Sequence, residues 1–250
     1  MIAKTLLALA SMATALAAEP EAKTFTAADG TEVLYRLAAP EKTEEGKAYP
    51  LVLFLHGAGE RGADNKAQLK HGAMAILQNA EKLGQPMFVI APQCPADKTW
   101  APYRIDFKIP ADEKPKNPLL DAVLALIEET ASKQPVDRSR IYISGLSMGG
   151  FGTWAAIASQ PKTFAAAIPI CGAGDPRTVD RFKNLPIRIF HGDDDKVVPL
   201  TGSQRMFDAL KEAGSEAKLT IYPGVGHNSW TQTYADEEVI RWLFSQTKSN

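Results

Sequence analysis

The sharpest chemical signal in the sequence is Ile141-Tyr-Ile-Ser-Gly145-Leu-Ser147-Met-Gly149-Gly150-Phe151, a strand-like run that passes through Gly-x-Ser-x-Gly into a helical pattern. A strand turned sharply into a helix strains its corner residue, and the residues two before and two after it must be small. Gly145 and Gly149 meet that demand. Ser147 is therefore expected at the corner, its hydroxyl above a sheet and beside a helix N-terminus whose free N–H groups favour developing negative charge. The segment has no Gly-x-Gly-x-x-Gly and no Gly-Lys-Ser/Thr, which excludes a dinucleotide fingerprint and a phosphate loop there.

A serine hydroxyl needs a base, and the base needs a carboxylate to fix its tautomer. The histidines are His56, His71, His191 and His227. His227 lies in Tyr222-Pro-Gly-Val-Gly-His-Asn-Ser-Trp230, a loop after the last strand-like run, from which an imidazole can swing over the serine. His71 falls inside a predicted helix and reads as a surface or core residue. His56 and His191 each end a strand and precede Gly, positions suited to pinning a loop by hydrogen bonds. The carboxylate is sought in His191-Gly-Asp193-Asp194-Asp195-Lys-Val-Val-Pro199. Asp195 is the candidate, with Asp193 and Asp194 read as exposed loop or turn carboxylates. The order Ser147, Asp195, His227 is that of the α/β-hydrolases and not of the other two serine protease lineages.

Acyl transfer also needs donors for an oxyanion. One is the N–H of Met148. The second is sought in Phe54-Leu-His56-Gly57-Ala58-Gly59-Glu-Arg61-Gly62, with Ala58 favoured and Gly59 next, where glycines let substrate approach the backbone. Trp100, Tyr103 and Trp230 are candidates to line the acyl or alcohol pocket, with simple packing as the competing role, above all for Trp230.

The elements that must carry these groups follow from hydrophobic patterning. Residues 23–28 and 31–37 flank Asp29-Gly30 and predict a hairpin with a two-residue turn. Apolar runs at 51–55, 87–90, 141–143, 164–170, 187–190 and 219–222 predict strands covered on both faces. Helices are predicted over 66–82, from Asn117-Pro118 to before Pro135, and over 148–160, 200–213 and 235–246. Eight strands, mostly parallel, with helices on both faces make an α/β fold of one domain. Residues 96–116, with three prolines, fall at the ligand-facing edge of such a sheet and read as a functional loop or a plain surface excursion.

Composition narrows the classes. Of 250 residues, 45% are hydrophobic and 23% charged, and the net charge is -1, which gives no electrostatic footprint for nucleic acid or an anionic membrane. Two cysteines, Cys94 and Cys171, cannot build a disulfide framework or a multi-thiolate metal site. As residues they read as buried small hydrophobes or as one bridge. Lys4, an apolar run to Leu16 and the small-residue end Ala15-Leu-Ala17 have the form of a secretory signal over residues 1–17, leaving a domain over 18–250 in a secreted or periplasmic protein with no membrane attachment.

The strings LFLHGAGERG, PQCP, GLSMGG, ICGAGD, HGDDDKVVP and GVGHNSW, in this order over nearly all of residues 18–250, resemble the secreted bacterial carboxylesterases of the α/β-hydrolase superfamily. These are related to feruloyl and acetylxylan esterases, polyhydroxybutyrate-depolymerase-like enzymes and the catalytic domain of prolyl oligopeptidases. The resemblance implies a serine esterase with nucleophile Ser147, acid Asp195 and base His227. It implies no metal or cofactor, unpaired Cys94 and Cys171, and a small-molecule or polysaccharide ester as substrate, acyl groups on plant polysaccharides among them. Two alternatives stay open: a peptidase of the prolyl oligopeptidase type, made doubtful by the missing N-terminal propeller, and a non-catalytic binding module.

Overall fold

The computed structural model describes residues 19–101 and 117–248. The expected signal (residues 1–17), Tyr103 and most of the 96–116 loop lie outside the described residues. The strands are β1 (Glu21–Thr26), β2 (Glu32–Ala38), β3 (Tyr49–Leu55), β4 (Phe88–Gln93), β5 (Val136–Leu146), β6 (Ala166–Ile170), β7 (Arg188–Gly192) and β8 (Lys218–Tyr222). The helices are α1 (Ala73–Lys82), α2 (Pro118–Lys133), α3 (Met148–Ser159), α4 (Thr201–Glu212), α5 (Trp230–Ala235) and α6 (Glu237–Phe244). The strands form one eight-stranded sheet in the order β1-β2-β4-β3-β5-β6-β7-β8. β2 runs antiparallel to β1 and β4, and the other pairs are parallel. This is the expected α/β-hydrolase architecture.

Period-two alternation sorts the strand side chains into two cores. Leu51, Leu53, Leu55, Ile141 and Ile143 face one side, with Trp154 of α3 and Met206 and Leu210 of α4. Val52, Phe54, Tyr142 and Ile168 face the other, with Ile76 of α1, Tyr234 of α5 and Ile240 and Leu243 of α6. Helices on both faces explain why the strands read as continuous apolar runs. Neighbouring β3 and β5 lead off in opposite directions, β3 toward β4 and β5 toward β6. Their carboxyl ends are thus the topological switch point, where an open sheet leaves a crevice for a ligand. The Gly57–Ala58 loop leaves β3 there, and Ser147 leaves β5 beside it.

Three expected elements are corrected. The hairpin turn is longer than two residues. Gly30 N–H donates to Ala27 O at 2.9 Å and Ala27 N–H to Thr31 O at 2.9 Å, with positive φ at Gly30 (86°) but not at Asp29. The Asp29 carboxylate accepts from Thr31 N–H at 2.9 Å and so favours a type I turn closed by glycine over the two-residue form. The helix expected over 66–82 is a short 3-10 turn (Ala67–Leu69) followed by α1, broken at Gly72, whose φ is 78°. A Cβ there would lie 2.4 Å from the Phe54 ring, so a tertiary contact overrides the local pattern. His71 consequently sits on the break and not within a helix. The last helix, expected over 235–246, is α6, starting at an Asp236 cap whose carboxylate accepts from Glu238 N–H at 2.9 Å, and it is preceded by α5, where no helix is expected.

Candidate active site

Ser147 occupies the N-cap of α3 with φ 52° and ψ -119°, a region that L-residues avoid and that costs of order 1–3 kcal/mol. The flanking glycines permit it. A Cβ on Gly149 would stand 1.8 Å from Leu55 O, and one on Gly145 would stand 2.3 Å from Gly149 O. The strain is held by packing: Ser147 N–H donates to Ile170 O at 2.9 Å, tying the corner to β6.

Two loops then bring the base and the carboxylate over the serine. The β7 loop carries Asp195 and the β8 loop carries His227. They are laced together by Gly224 N–H to Asp193 Oδ1 at 2.7 Å and Asp194 N–H to Val225 O at 3.1 Å. Asp193 is thus an exposed turn carboxylate, as expected, that also braces the β8 loop. His227 Nε2 lies 2.9 Å from Ser147 Oγ, and His227 Nδ1 lies 2.7 Å from Asp195 Oδ2. A carboxylate only accepts, so Nδ1 carries the proton and Nε2 presents its lone pair to the serine hydroxyl. The three residues 80 and 32 positions apart in sequence meet at one point.

The Asp195 side chain is fully buried. Burial alone would raise its carboxyl. The hydrogen bond from His227 and those from Val198 N–H (2.9 Å) and Val197 N–H (2.8 Å) on Oδ1 more than offset it and hold the group below the ordinary value. It therefore stays ionised beside the imidazole. His191, also buried, points Nε2 at Val198 O (2.9 Å) and at Asp195 Oδ2 (3.3 Å). Burial pushes its pKa down, so it is a neutral strut at neutral pH. His56 pins the β3 loop: its Nε2 accepts from Cys94 N–H at 2.9 Å, and burial lowers it to about 4.

The first N–H groups of a helix have no intrahelical acceptor. Met148 is the first residue of α3, and Ala58 and Gly59, both exposed, open a 3-10 turn after β3. Trp230 is half-buried and sets its ring edge-on to His227, with centroids 5.3 Å apart at 89°. It combines packing with contact to the base. Trp100 is corrected. It is fully buried, its Nε1–H donates to His56 O at 3.0 Å, and it has no surface to offer a ligand. Tyr103 lies outside the described residues.

Cys94 and Cys171 are free and buried, and burial raises each thiol to about 12. The Cys171 sulfur falls within 4.8 Å of ligand atoms of Asp195 and His227, a proximity the sequence reading missed. The carboxylate and Nδ1 are already committed to each other by a hydrogen bond at 2.7 Å. The sequence reading also missed Glu60, which is buried within the loop after β3; its signal was a lone acid among the glycines of Gly57-Ala-Gly-Glu-Arg-Gly62.

The chain is similar to several known proteins. Residues 41–238 match the phospholipase/carboxylesterase family. Carboxylesterase SOBER1 of Arabidopsis thaliana is 28% identical over 197 residues, covering 72% of this chain and 84% of its own. A solved thermostable esterase is 41% identical with a TM-score of 0.86 over 93% of this chain, which spans 64% of that protein's length. A solved acylaminoacyl peptidase, 19% identical with a TM-score of 0.64 over 92% of this chain and 41% of its own, shares the fold.

Proposed function

This chain belongs to the phospholipase/carboxylesterase family of the α/β-hydrolase fold and is by that membership a carboxylic ester hydrolase; on that premise we propose that it works through an acyl-enzyme on Ser147. The observation that carries the mechanism is the unbroken line of hydrogen bonds from Ser147 Oγ through His227 to Asp195. In the first step Oγ bonds to the ester carbonyl carbon as its proton passes to His227 Nε2. The resulting oxyanion is held by the N–H groups of Ala58 and Met148, with Gly59 N–H as second choice in the β3 loop. The imidazolium, stabilised by ionised Asp195, gives its proton to the leaving alcohol as the carbon–oxygen bond breaks. Water then adds to the acyl-enzyme with His227 again taking a proton. Collapse releases the acid and returns the proton to Ser147. No metal or cofactor enters these steps.

Small-molecule and polysaccharide esters, including acyl groups on plant polysaccharides, are the proposed substrates. The charged, apolar and small-residue order of residues 1–17 supports export to the periplasm or beyond. Turnover of p-nitrophenyl acetate by Ser147→Ala tests the mechanism. Loss of about 10⁴-fold or more in kcat is expected, and activity near wild type would overturn it. Peptide amides assayed beside the esters separate an esterase from a peptidase.

A further inference from the structure

Glu60 sits in the loop that carries the proposed oxyanion donors, and its side chain is only 8% exposed. A carboxylate so buried is costly unless it receives hydrogen bonds. Among the described residues none is donated to it. Its nearest ionic neighbour, His71 Nε2, stands at 3.8 Å, beyond hydrogen-bond reach. The position is close to the nucleophile. A Cβ placed on Gly57 would lie 3.0 Å from Glu60 Oε2 and 3.7 Å from Ser147 Cβ, so the carboxylate and the serine flank the same glycine. From Glu60 the wall continues through His71 to Trp230 (ring centroids 5.8 Å) and from Trp230 to His227 (5.3 Å). His227 Nε2 is the group that protonates the departing alcohol, so this wall borders the leaving-group side.

We propose that Glu60 is a specificity-determining residue that receives hydrogen bonds from hydroxyl groups of the alcohol portion of the substrate, selecting esters of polyhydroxylated alcohols over esters of simple alkyl alcohols. The inference rests on the ester-hydrolase reading above and narrows it. A vicinal hydroxyl on a sugar or polyol ester is the donor that the carboxylate lacks. His71, partly exposed beside it, adds a second polar group to the same wall. An alkyl alcohol would leave the carboxylate buried and unpaired, and an anionic alcohol would be repelled.

The experiment compares acetate esters that share one acyl group: glyceryl monoacetate, ethyl acetate and O-acetyl-lactate. The wild-type protein should show kcat/KM about ten-fold or more higher for glyceryl monoacetate than for ethyl acetate, the range of a charge-assisted hydrogen bond, with O-acetyl-lactate lowest. The isosteric Glu60→Gln variant should lose most of the glyceryl preference and gain on O-acetyl-lactate, while ethyl acetate changes less than two-fold. Equal losses on all three esters, or a glyceryl preference that survives the substitution, would overturn the subsite. The wild-type ranking stands as a test even if the variant fails to fold: no preference for the polyol ester overturns the proposal by itself. Fluorophosphonate labelling separates the two levels. Label on Ser147 without a polyol preference removes the Glu60 subsite alone, whereas no label and no ester turnover removes the esterase reading and the subsite with it.

Discussion

His191 Nε2 lies 3.3 Å from Asp195 Oδ2, the same carboxylate oxygen that meets His227 Nδ1 at 2.7 Å. The histidine next to the end of β7 therefore does more than pin its loop. It holds Val198 O at 2.9 Å, and Val198 N–H in turn grips the other oxygen of Asp195. The carboxylate is fixed from three sides before it touches the base, so its orientation is set by the loop and not by His227.

From this bracing follows the effect of Asp195→Asn. The amide fills the same volume and can keep Oδ1 bonded to Val197 and Val198, so the fold should persist. It cannot accept from Nδ1–H and stabilise an imidazolium as a carboxylate does. Steady-state kinetics on p-nitrophenyl acetate should show kcat reduced about 10³- to 10⁴-fold with little change in KM. A loss confined to KM would place Asp195 outside the proton-transfer chain.

Acid should destabilise the protein through its buried histidines. The His56 pKa is lowered from 6.5 to about 4 by burial. Above pH 6.5 the ring is neutral in both folded and unfolded chains, and its full contribution is present. Between pH 6.5 and about 4 the unfolded chain binds a proton that the folded chain refuses, so stability falls with pH by of order 3 kcal/mol from this residue. His191, lowered in the same direction, adds to the slope. The lowered Asp195 carboxyl adds a loss at still more acid pH, as pH falls through its folded value. Urea unfolding of wild type and His56→Gln at pH 7.5 and 4.5 measures this: the variant should show the shallower pH dependence.

Both thiols should be inert in the native protein. Burial raises Cys94 and Cys171 to about 12, so almost no thiolate exists at pH 8. Titration with a chromogenic disulfide should find negligible reaction in the folded state and two thiols per chain in denaturant. Fast native reaction of either would show that the fold opens locally on the assay timescale, at the end of β4 for Cys94 or of β6 for Cys171.

What could be read from the sequence was what is local. The apolar runs of β3 and β5, the Asn117-Pro118 start of α2 and the Gly-x-Ser-x-Gly corner each carry their cause within a few residues. Ser147, Asp195 and His227 could be chosen because each sits just beyond a strand. What escaped depends on distant contacts. Gly72 breaks a helical pattern because Phe54 and Tyr234 press on it. Trp100 looked like pocket lining until its ring was found buried against His56 and α3. Glu60 resembled any loop acid, and only the fold shows its carboxylate drawn in beside Gly57.

The account stands most directly on a covalent bond to one oxygen. Rapid mixing with p-nitrophenyl acetate, acid quenching and peptide mass spectrometry should find an acetyl group on the peptide bearing Ser147, formed with a burst of one p-nitrophenol per active chain. Ser147→Ala should show neither burst nor adduct. Steady hydrolysis with no acetylated Ser147, undiminished in Ser147→Ala, would contradict the acyl-enzyme mechanism.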